Sequence, residues 1–507
     1  MNLWRFLDHT AARTPHGRAL TCSGRELDYA TARAAALHLA ERLVAGGIAP
    51  GDRVGCLMHN RAEHFVAYYA VAAAGAILVS LNTRLSTGEQ RQILDHSGAK
   101  MLLHDVAHTD RAGELANTGF GGQVGGGAAT TMCFELPTIV PTTTMVPRLA
   151  ATDEPAHLYY TSGTTGTPKG VVLTHRNVCT HAETAMQELG LGAGDRWAHI
   201  APMFHLADAW ATFAVTLAGG SHAFLPHFTA ESALSLLQHE RITITNLVPT
   251  MLNLMVKDPS AQGRSYALRT MLSGGAAIAP EVVRAILATF GCDYVQTYGM
   301  TETSPYLTLG ILPATLHDLP PEERLRIQCK TGRPFAGILL KVVGDDGREV
   351  PNDERTVGEI RVRGATVTPG YWNDPNATAA AFDADGYLCT GDLATRDRYG
   401  FVDIVDRKKD VIKTGGESVY SIEVENVLYA HPAVLECAVF GLPDAVWGER
   451  VVAAVVLRPG VAAEASELIA FVRGKIGGYK APKEVRFLAA LPRTGSGKIT
   501  KRALREG

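Results

Sequence analysis

The chain has no paired cysteine motif, no basic tract and no long apolar run, and each absence excludes a class of protein. Its eight cysteines stand at positions 22, 56, 133, 179, 292, 329, 389 and 437, too dispersed for a C-x-x-C metal or redox motif. A chain of 507 residues needs no disulfide staples to fold. Free thiols in a reducing compartment, and hence a cytoplasmic protein, are the expectation. Lys and Arg are scattered and the formal net charge is −3, which argues against a nucleic-acid partner. The amino-terminal MNLWRFLDHTAARTP is amphipathic, with charges throughout and no apolar h-region, so it does not read as a signal peptide. The longest uncharged run, Phe65 to Leu81, falls short of a bilayer-spanning helix and is broken by Gly75. It reads as an Ala-rich helix, a glycine stop and the strand Ala76 to Leu81. No membrane span is expected, and no internal repeat is evident.

What remains is an ordinary globular composition, with 46% hydrophobic and 20% charged residues in a chain long enough for two or more domains. Short β-rich runs alternate with helical patterns, the signature of α/β layers. His157 to Tyr160 runs into a glycine-rich loop. Ile242 to Thr245 is followed by a helical stretch from Pro249, and Thr270 to Ser273 enters a Gly-Gly turn before the helix that Pro280 opens. Two stretches read as irregular: Asn117 to Pro147, rich in Gly and Thr, and Leu312 to Arg326, with two consecutive prolines and several acids. After Asp406 the pattern changes. The strand-like Ala438 to Phe440 and Val451 to Leu457 alternate with the helical Ser466 to Val472, as in a separate α+β unit.

The sharpest chemical signal is Thr161-Ser162-Gly163-Thr164-Thr165-Gly166-Thr167-Pro168-Lys169-Gly170, directly after a strand pattern. Glycines let a backbone turn tightly and aim several N–H groups at one anion. The hydroxyls add neutral donors, and Lys169 adds a mobile positive charge. The alternative is a plain Gly/Thr surface loop. A Walker A loop is excluded because Lys169 is followed by Gly170 rather than Ser or Thr. By itself the string says polyphosphate.

The same string resembles the phosphate loop of the adenylate-forming superfamily, which includes acyl-CoA synthetases, firefly luciferase and peptide-synthetase adenylation domains. Further motifs follow in that family's order. They are Pro202-Met-Phe-His205, Ser273-Gly-Gly-Ala-Ala277, Tyr298-Gly-Met-Thr-Glu302, Tyr387-Leu-Cys-Thr-Gly-Asp392, Asp406-Arg-Lys-Lys-Asp410, Gly415-Gly416 with Glu423-Val-Glu425, and Gly495-Ser-Gly-Lys498. The resemblance implies an α/β fold with a large N-terminal domain of layered sheets and helices, over residues 1–406. A small mobile α+β C-terminal domain over 407–507 would carry the catalytic lysine. It implies two half-reactions: carboxylate plus ATP gives acyl-AMP and pyrophosphate, and a thiol, that of coenzyme A, then displaces AMP. The partners implied are a small-molecule carboxylic acid, ATP, Mg²⁺ and coenzyme A, and a homodimer is compatible with it.

Each role is carried over residue by residue. Glu302 matches the Mg²⁺ ligand, a hard oxygen donor beside a triphosphate. Thr301 matches a hydroxyl donor to the α-phosphate and Tyr298 the ring that stacks on adenine. Gly274, Gly275 and Ala276 match the wall of the adenine pocket, a reading compatible with a simple strand-to-helix turn. Asp392 matches the acceptor of both ribose hydroxyls and Arg407 a second ribose contact. Lys498 matches the lysine that reaches the carboxylate and α-phosphate oxygens. A flexible ammonium suits a group that arrives with a moving domain. Lys409 matches the hinge. In the loop from Gly415 to Glu425, which the resemblance assigns to thioester formation, Ser418 and Ser421 depart from the usual Asn and Pro.

His205 matches a gate near the carboxylate, a structural histidine being the alternative. Asp208 is read either as a helix cap or as a pocket acid that recognises an amine or hydroxyl on the substrate. Val248, Gln296 and Ser304 are further pocket candidates. The leading expectation is an acyl-CoA ligase for a fatty or aryl acid. The alternatives on the same fold are transfer to a carrier protein or an amine, ATP- and nitrite-dependent diazotisation of an aryl amine, a luciferase-like oxygenase, and a non-catalytic nucleotide sensor.

Overall fold

The computed structural model describes residues 2–22, 24–120, 129–161, 168–276, 278–493 and 499–506. The chain forms two compact units. One comprises Met1–Leu339 with Val362–Leu388, the other Leu340–Arg361 with Cys389–Gly507.

Among the described residues of the first unit, two sheets carry the α/β pattern. The larger runs Arg333–Pro334, Tyr306–Leu309, Asp293–Gly299, Thr270–Gly274, Ile244–Leu247, Arg196–His199, Ser221–Phe224, Arg18–Cys22, Arg25–Asp28. Its centre is parallel, and the last two strands at one end and the last at the other are antiparallel. The smaller runs Thr130–Cys133, Ala99–His104, Arg53–Leu57, Ile77–Ser80, Pro155–Thr161, Lys169–Thr174, with only the last pairing antiparallel. Parallel strands need covering on both faces, and the helices do this. Ala62–Ala73 packs on Tyr29–Ala45, and His175–Glu188 on Leu206–Ala218. Every residue of Ala62–Ala73 is buried, as expected of a helix apolar all round beyond Glu63 and His64 in its first turn. That explains the long uncharged run: the segment is core, and it stops at Gly75, whose φ of +71° few other residues adopt.

In the second unit, Glu417–Val419, Ile412–Thr414, Gly448–Leu457 and Val434–Asp444 form a sheet, with Glu484–Phe487 also paired to Gly448–Leu457. Alternate residues of the long strand pair enter different cores. Cys437, Val439, Ala453 and Val455 lie in one, and Ala438, Phe440, Ala454 and Val456 in the other. With a side-chain period of two, this means both faces of the sheet are covered. A second sheet orders Ile338–Val343, Gly358–Gly364, Leu388–Arg396 and Val402–Arg407.

Two expectations need correction. Within Asn117 to Pro147, Thr130–Cys133 is a strand, added in parallel to Ala99–His104. Within Leu312 to Arg326, a helix starts at Pro321 and runs to Gln328. Its proline is at the first position, Glu322 and Glu323 fill the first turn and Arg326 the last. That order complements the helix dipole rather than marking a loop. No described helix is long and apolar enough to cross a membrane.

The first unit buries several histidines, and burial pushes each below its ordinary range: His64 and His175 to about 4, His157 and His181 to about 3, and His222 well below. In the unfolded chain these rings titrate near pH ~6.5. Below that value the unfolded state therefore binds more protons than the native one, and stability falls as pH falls. We expect equilibrium urea unfolding at pH 7, 6 and 5 to show a steady loss of stability, with about one proton taken up per ring on unfolding at pH 5. A flat profile between pH 7 and 5 would contradict neutral burial of these rings.

Candidate active site

Parallel strands bring Gly274 and Thr297 side by side. A Cβ on Gly274 would lie 2.3 Å from Thr297 Oγ1 and 2.7 Å from its carbonyl oxygen, so only glycine permits this approach. Gly275 follows with φ +84°. The Ala276 carbonyl accepts a hydrogen bond from Gln296 Nε2 at 3.2 Å, and Gln296 Oε1 accepts from the Tyr294 hydroxyl. Gln296, a pocket candidate from sequence, is thus engaged in holding the Gly-Gly-Ala turn. Tyr298 is half-buried on the next strand, in register with Thr308.

Beyond Tyr298 the chain makes the short turn Thr301–Thr303, which carries Thr301, half-buried, and Glu302, 6% exposed. Two contacts fix Glu302. Its carbonyl accepts from the Thr368 N–H at 2.8 Å, and its Oε1 accepts from the Tyr371 hydroxyl at 3.0 Å. Burial, then the neighbouring Glu302 charge, pushes the Tyr371 phenol above its usual range, so it stays a neutral donor. A face of the same ring receives Lys169, its Nζ 5.1 Å from the centroid, at cation–π distance. The segment around Tyr371 is laced to the strand Lys169–Thr174. Val172 N–H donates to Gly370 O at 3.1 Å, Trp372 N–H to Gly170 O at 2.7 Å, and Thr368 Oγ1 to Val172 O at 2.6 Å. A carboxylate and an ammonium, more than a hundred residues apart in sequence, are therefore both set by one tyrosine. Sequence reasoning missed Tyr371. The available signal was an aromatic pair, Tyr371-Trp372, after Pro369-Gly370 in a stretch without strand or helix periodicity.

Thr161 and Lys169 face each other across an antiparallel pair and so bracket the phosphate loop. Ser162, Gly163, Thr164, Thr165 and Gly166 lie outside the described residues, as do Ala277 and Lys498.

His205 takes the N-cap position of helix Leu206–Ala218 without a side-chain cap, its ring 4.6 Å from that of Phe204. The segment before it is held by side chains from elsewhere. Asn60 Nδ2 donates to His199 O at 3.0 Å and Ala201 O at 2.8 Å, and Asn60 Oδ1 accepts from Met203 N–H at 2.8 Å. Tyr68 donates to Met203 O at 2.8 Å and Ser80 to Phe204 O at 3.0 Å. None of these three was singled out from sequence. Asp208 does not cap the helix. It is fully buried, accepts from Trp197 Nε1 at 3.3 Å, and pairs with His199 Nδ1 at 2.5 Å. Burial pushes its carboxyl upward, against the pull of His199. His199 Nε2 continues to His222 Nδ1 at 3.0 Å, and His222 to Thr216 Oγ1 at 3.1 Å. Asp208 is thus the anchor of an internal polar chain. Ser304, also a pocket candidate, is fully buried and donates to Thr366 O at 2.8 Å, whereas Val248 is exposed.

In the second unit, Asp392 and Arg407 are directly opposed on adjacent antiparallel strands, Arg407 Nε 3.2 Å from Asp392 Oδ1. Asp392 is buried and Arg407 exposed, so the carboxylate keeps its partner on the side open to solvent. Lys409 is exposed in the turn that follows. The Gly415-Gly416 pair forms a two-residue hairpin turn between Ile412–Thr414 and Glu417–Val419, with φ of +59° and +84°. Positive φ at both central positions is the turn that matches strand twist, and it favours glycine. The departures from the family pattern have local reasons. Ser418 Oγ accepts from Lys413 Nζ at 2.6 Å. Ser421 donates twice to Asp406, from its N–H at 2.5 Å and its Oγ at 3.0 Å. A proline at 421 has no N–H to give.

Comparison with known proteins agrees with this geometry. The AMP-binding enzyme profile matches residues 7–372, and that of the AMP-binding enzyme C-terminal domain matches 423–498. A feruloyl-CoA synthase of Amycolatopsis sp is 37% identical over 500 residues, covering 98% of this chain and 96% of that protein. A long-chain-fatty-acid–CoA ligase of Thermus thermophilus is 34% identical over 533 residues, covering 100% and 95%. The o-succinylbenzoate CoA synthetase of Bacillus subtilis, solved with its acyl-adenylate intermediate, superposes with a TM-score of 0.85 at 30% identity, covering 100% of this chain and 98% of that one. With similarity running the whole length and the motif residues in place along it, the chain belongs to the AMP-binding enzymes, the adenylate-forming superfamily of acyl-CoA synthetases and ligases.

Proposed function

We propose that this protein is an ATP-dependent, AMP-forming acid–thiol ligase that converts a carboxylic acid to its acyl-AMP and passes the acyl group to coenzyme A. The observation that carries the reading is the convergence of Glu302 and Lys169 on Tyr371 in a chain similar to CoA ligases from end to end. Attack of a carboxylate on the α-phosphate brings two anions together, and catalysis here is chiefly their neutralisation and alignment. A buried carboxylate held by a neutral donor suits Mg²⁺, which binds through one or two carboxylates together with phosphates and water. When bound, Mg²⁺ spreads the triphosphate charge. Glu302 holds it. Lys169 and the loop from Thr161 to Gly166 grip the phosphates, Thr301 donates to the α-phosphate, and Tyr298 with the Gly274–Ala276 turn takes the adenine. Asp392 accepts the ribose hydroxyls, assisted by Arg407.

Lys498 delivers positive charge to the reacting oxygens, His205 gates the acid, and Lys409 is the hinge at the boundary of a mobile domain over 407–507. The acid is of the aryl or fatty type that the named relatives act on, and the compartment is the cytoplasm, in keeping with eight free cysteines.

The test of the whole reading is a product assay by mass spectrometry with ATP, Mg²⁺ and a library of acids, with and without CoA. The expected outcome is an acid-dependent AMP yield with an acyl-CoA product. Acyl-AMP that accumulates regardless of CoA, or an acid amide formed in its place, would overturn the assignment of the acceptor.

Lys498→Ala is expected to abolish acid-dependent pyrophosphate release while ATP binding persists. Release near the wild-type rate would remove Lys498 from catalysis. Tyr371→Phe deletes one hydrogen bond to a buried carboxylate, worth about 1.5–3 kcal/mol. We expect it to raise the Mg²⁺ concentration for half-maximal rate by about ten-fold or more without loss of fold. An unchanged Mg²⁺ profile would show that Glu302 does not depend on Tyr371.

A further inference from the structure

Away from the nucleotide residues, three polar side chains meet at one edge of the smaller sheet. Asp105 follows the strand Ala99–His104, His59 follows Arg53–Leu57, and His108 sits one short turn beyond Asp105. The two strands are parallel neighbours, so their carboxyl ends bring these positions together. Asp105 is 1% exposed at its side chain, His108 11% and His59 22%, a buried carboxylate under two partly covered rings. One oxygen of Asp105 takes His108 Nδ1 at 2.6 Å. The other takes the His59 N–H at 2.9 Å and faces His59 Nδ1 at 3.5 Å.

A third ring joins from the other sheet. The exposed His227, just past the strand Ser221–Phe224, stands edge-on to His59 at 4.7 Å between centroids, and His59 to His108 at 4.4 Å. Two imidazoles on one buried carboxylate, with a third ring stacked edge-on behind one of them, are metal ligands when neutral. Both Asp105 oxygens are thus engaged from the side of the two rings.

We propose that His59, Asp105 and His108 form a binding site for a first-row divalent metal ion, Zn²⁺ in the first instance. One ligand atom from each of the three residues already lies within 4.8 Å of the others. Tetrahedral ligands about 2.0–2.2 Å from one ion stand about 3.3–3.6 Å apart, so ring and carboxylate rotations that move the ligand atoms by about an ångström close the set. Two imidazole nitrogens and one carboxylate oxygen, with a fourth position open, are a zinc-type set and a poor one for Mg²⁺, which takes oxygens.

The site has a mechanical consequence. His59 is adjacent to Asn60, whose amide holds His199 O, Ala201 O and Met203 N–H and thereby the segment leading to His205. An ion on His59 pins that loop to the end of the neighbouring strand. The site therefore stabilises the acid-binding edge and takes no part in the chemistry.

The experiment uses the full-length protein, freed of metal by chelation and kept without nucleotide or Mg²⁺. Zn²⁺ affinity is measured by competition with a chromophoric chelator, alongside the melting temperature. We expect one equivalent of Zn²⁺ per chain and a rise in melting temperature. His59→Asn and His108→Gln should each weaken affinity by about 10–100-fold and abolish the rise. Zinc K-edge absorption on the wild type keeps the question answerable even where a variant does not fold. Its expected result is a nitrogen and oxygen shell with imidazole scattering. No stoichiometric binding, an affinity that neither substitution changes, or a sulfur shell at about 2.3 Å would each overturn the proposal.

Discussion

The hydrogen bond from Tyr371 to Glu302 is the contact on which the candidate site depends. A carboxylate on a residue 6% exposed is costly unless donors satisfy it, and the tyrosine hydroxyl is one such donor. The same ring lies at cation–π distance from Lys169. Tyr371 in turn is placed by backbone bonds to the strand Lys169–Thr174, as Thr368 N–H is placed beneath Glu302. The loop, the turn and the laced segment stand or fall together.

The acid-binding edge rests on a different principle. There the segment from His199 to His205 has no regular structure of its own after the strand ends, and its carbonyls are satisfied by Asn60, Tyr68 and Ser80. Beneath it, Asp208, His199 and His222 form a fully buried polar chain. Such networks specify one packing when every member is paired. Asp208 is thereby committed to the interior, and selection among acids falls to other side chains.

How much of this was readable from the chain alone depended on the range of each constraint. The Gly-Gly-Ala turn, the hairpin at Gly415-Gly416 and the helix from Pro280 are dictated by conformations that only particular residues adopt, so their signals are local. The buried helix Ala62–Ala73 announced itself by the uncharged run that starts at Phe65. By contrast, Glu302 and Tyr371 are 69 residues apart and Asn60 and Met203 are 143 apart. Neither pair leaves a periodic trace. Asp208 was misread for a related reason. An acid in the first turn of a helix has the same sequence signature whether it caps that helix or pairs with a histidine on a neighbouring strand. Pro321, Glu322 and Glu323 were likewise taken for a loop, because helix-start residues and loop residues overlap in type. Ser421 stands out in sequence only as a departure from the family's proline; the second unit shows it serving Asp406, immediately before Arg407.

The central claim is that the Tyr371 hydroxyl acts on catalysis through Glu302 and by no other route. A double-mutant cycle tests it, with the Mg²⁺ concentration for half-maximal adenylation measured in the wild type, Glu302→Gln, Tyr371→Phe and the pair. The account predicts that the double variant behaves as Glu302→Gln alone, since the hydroxyl has no carboxylate left to hold. Effects that simply add would contradict it, and would mean that the tyrosine and the glutamate serve the site independently.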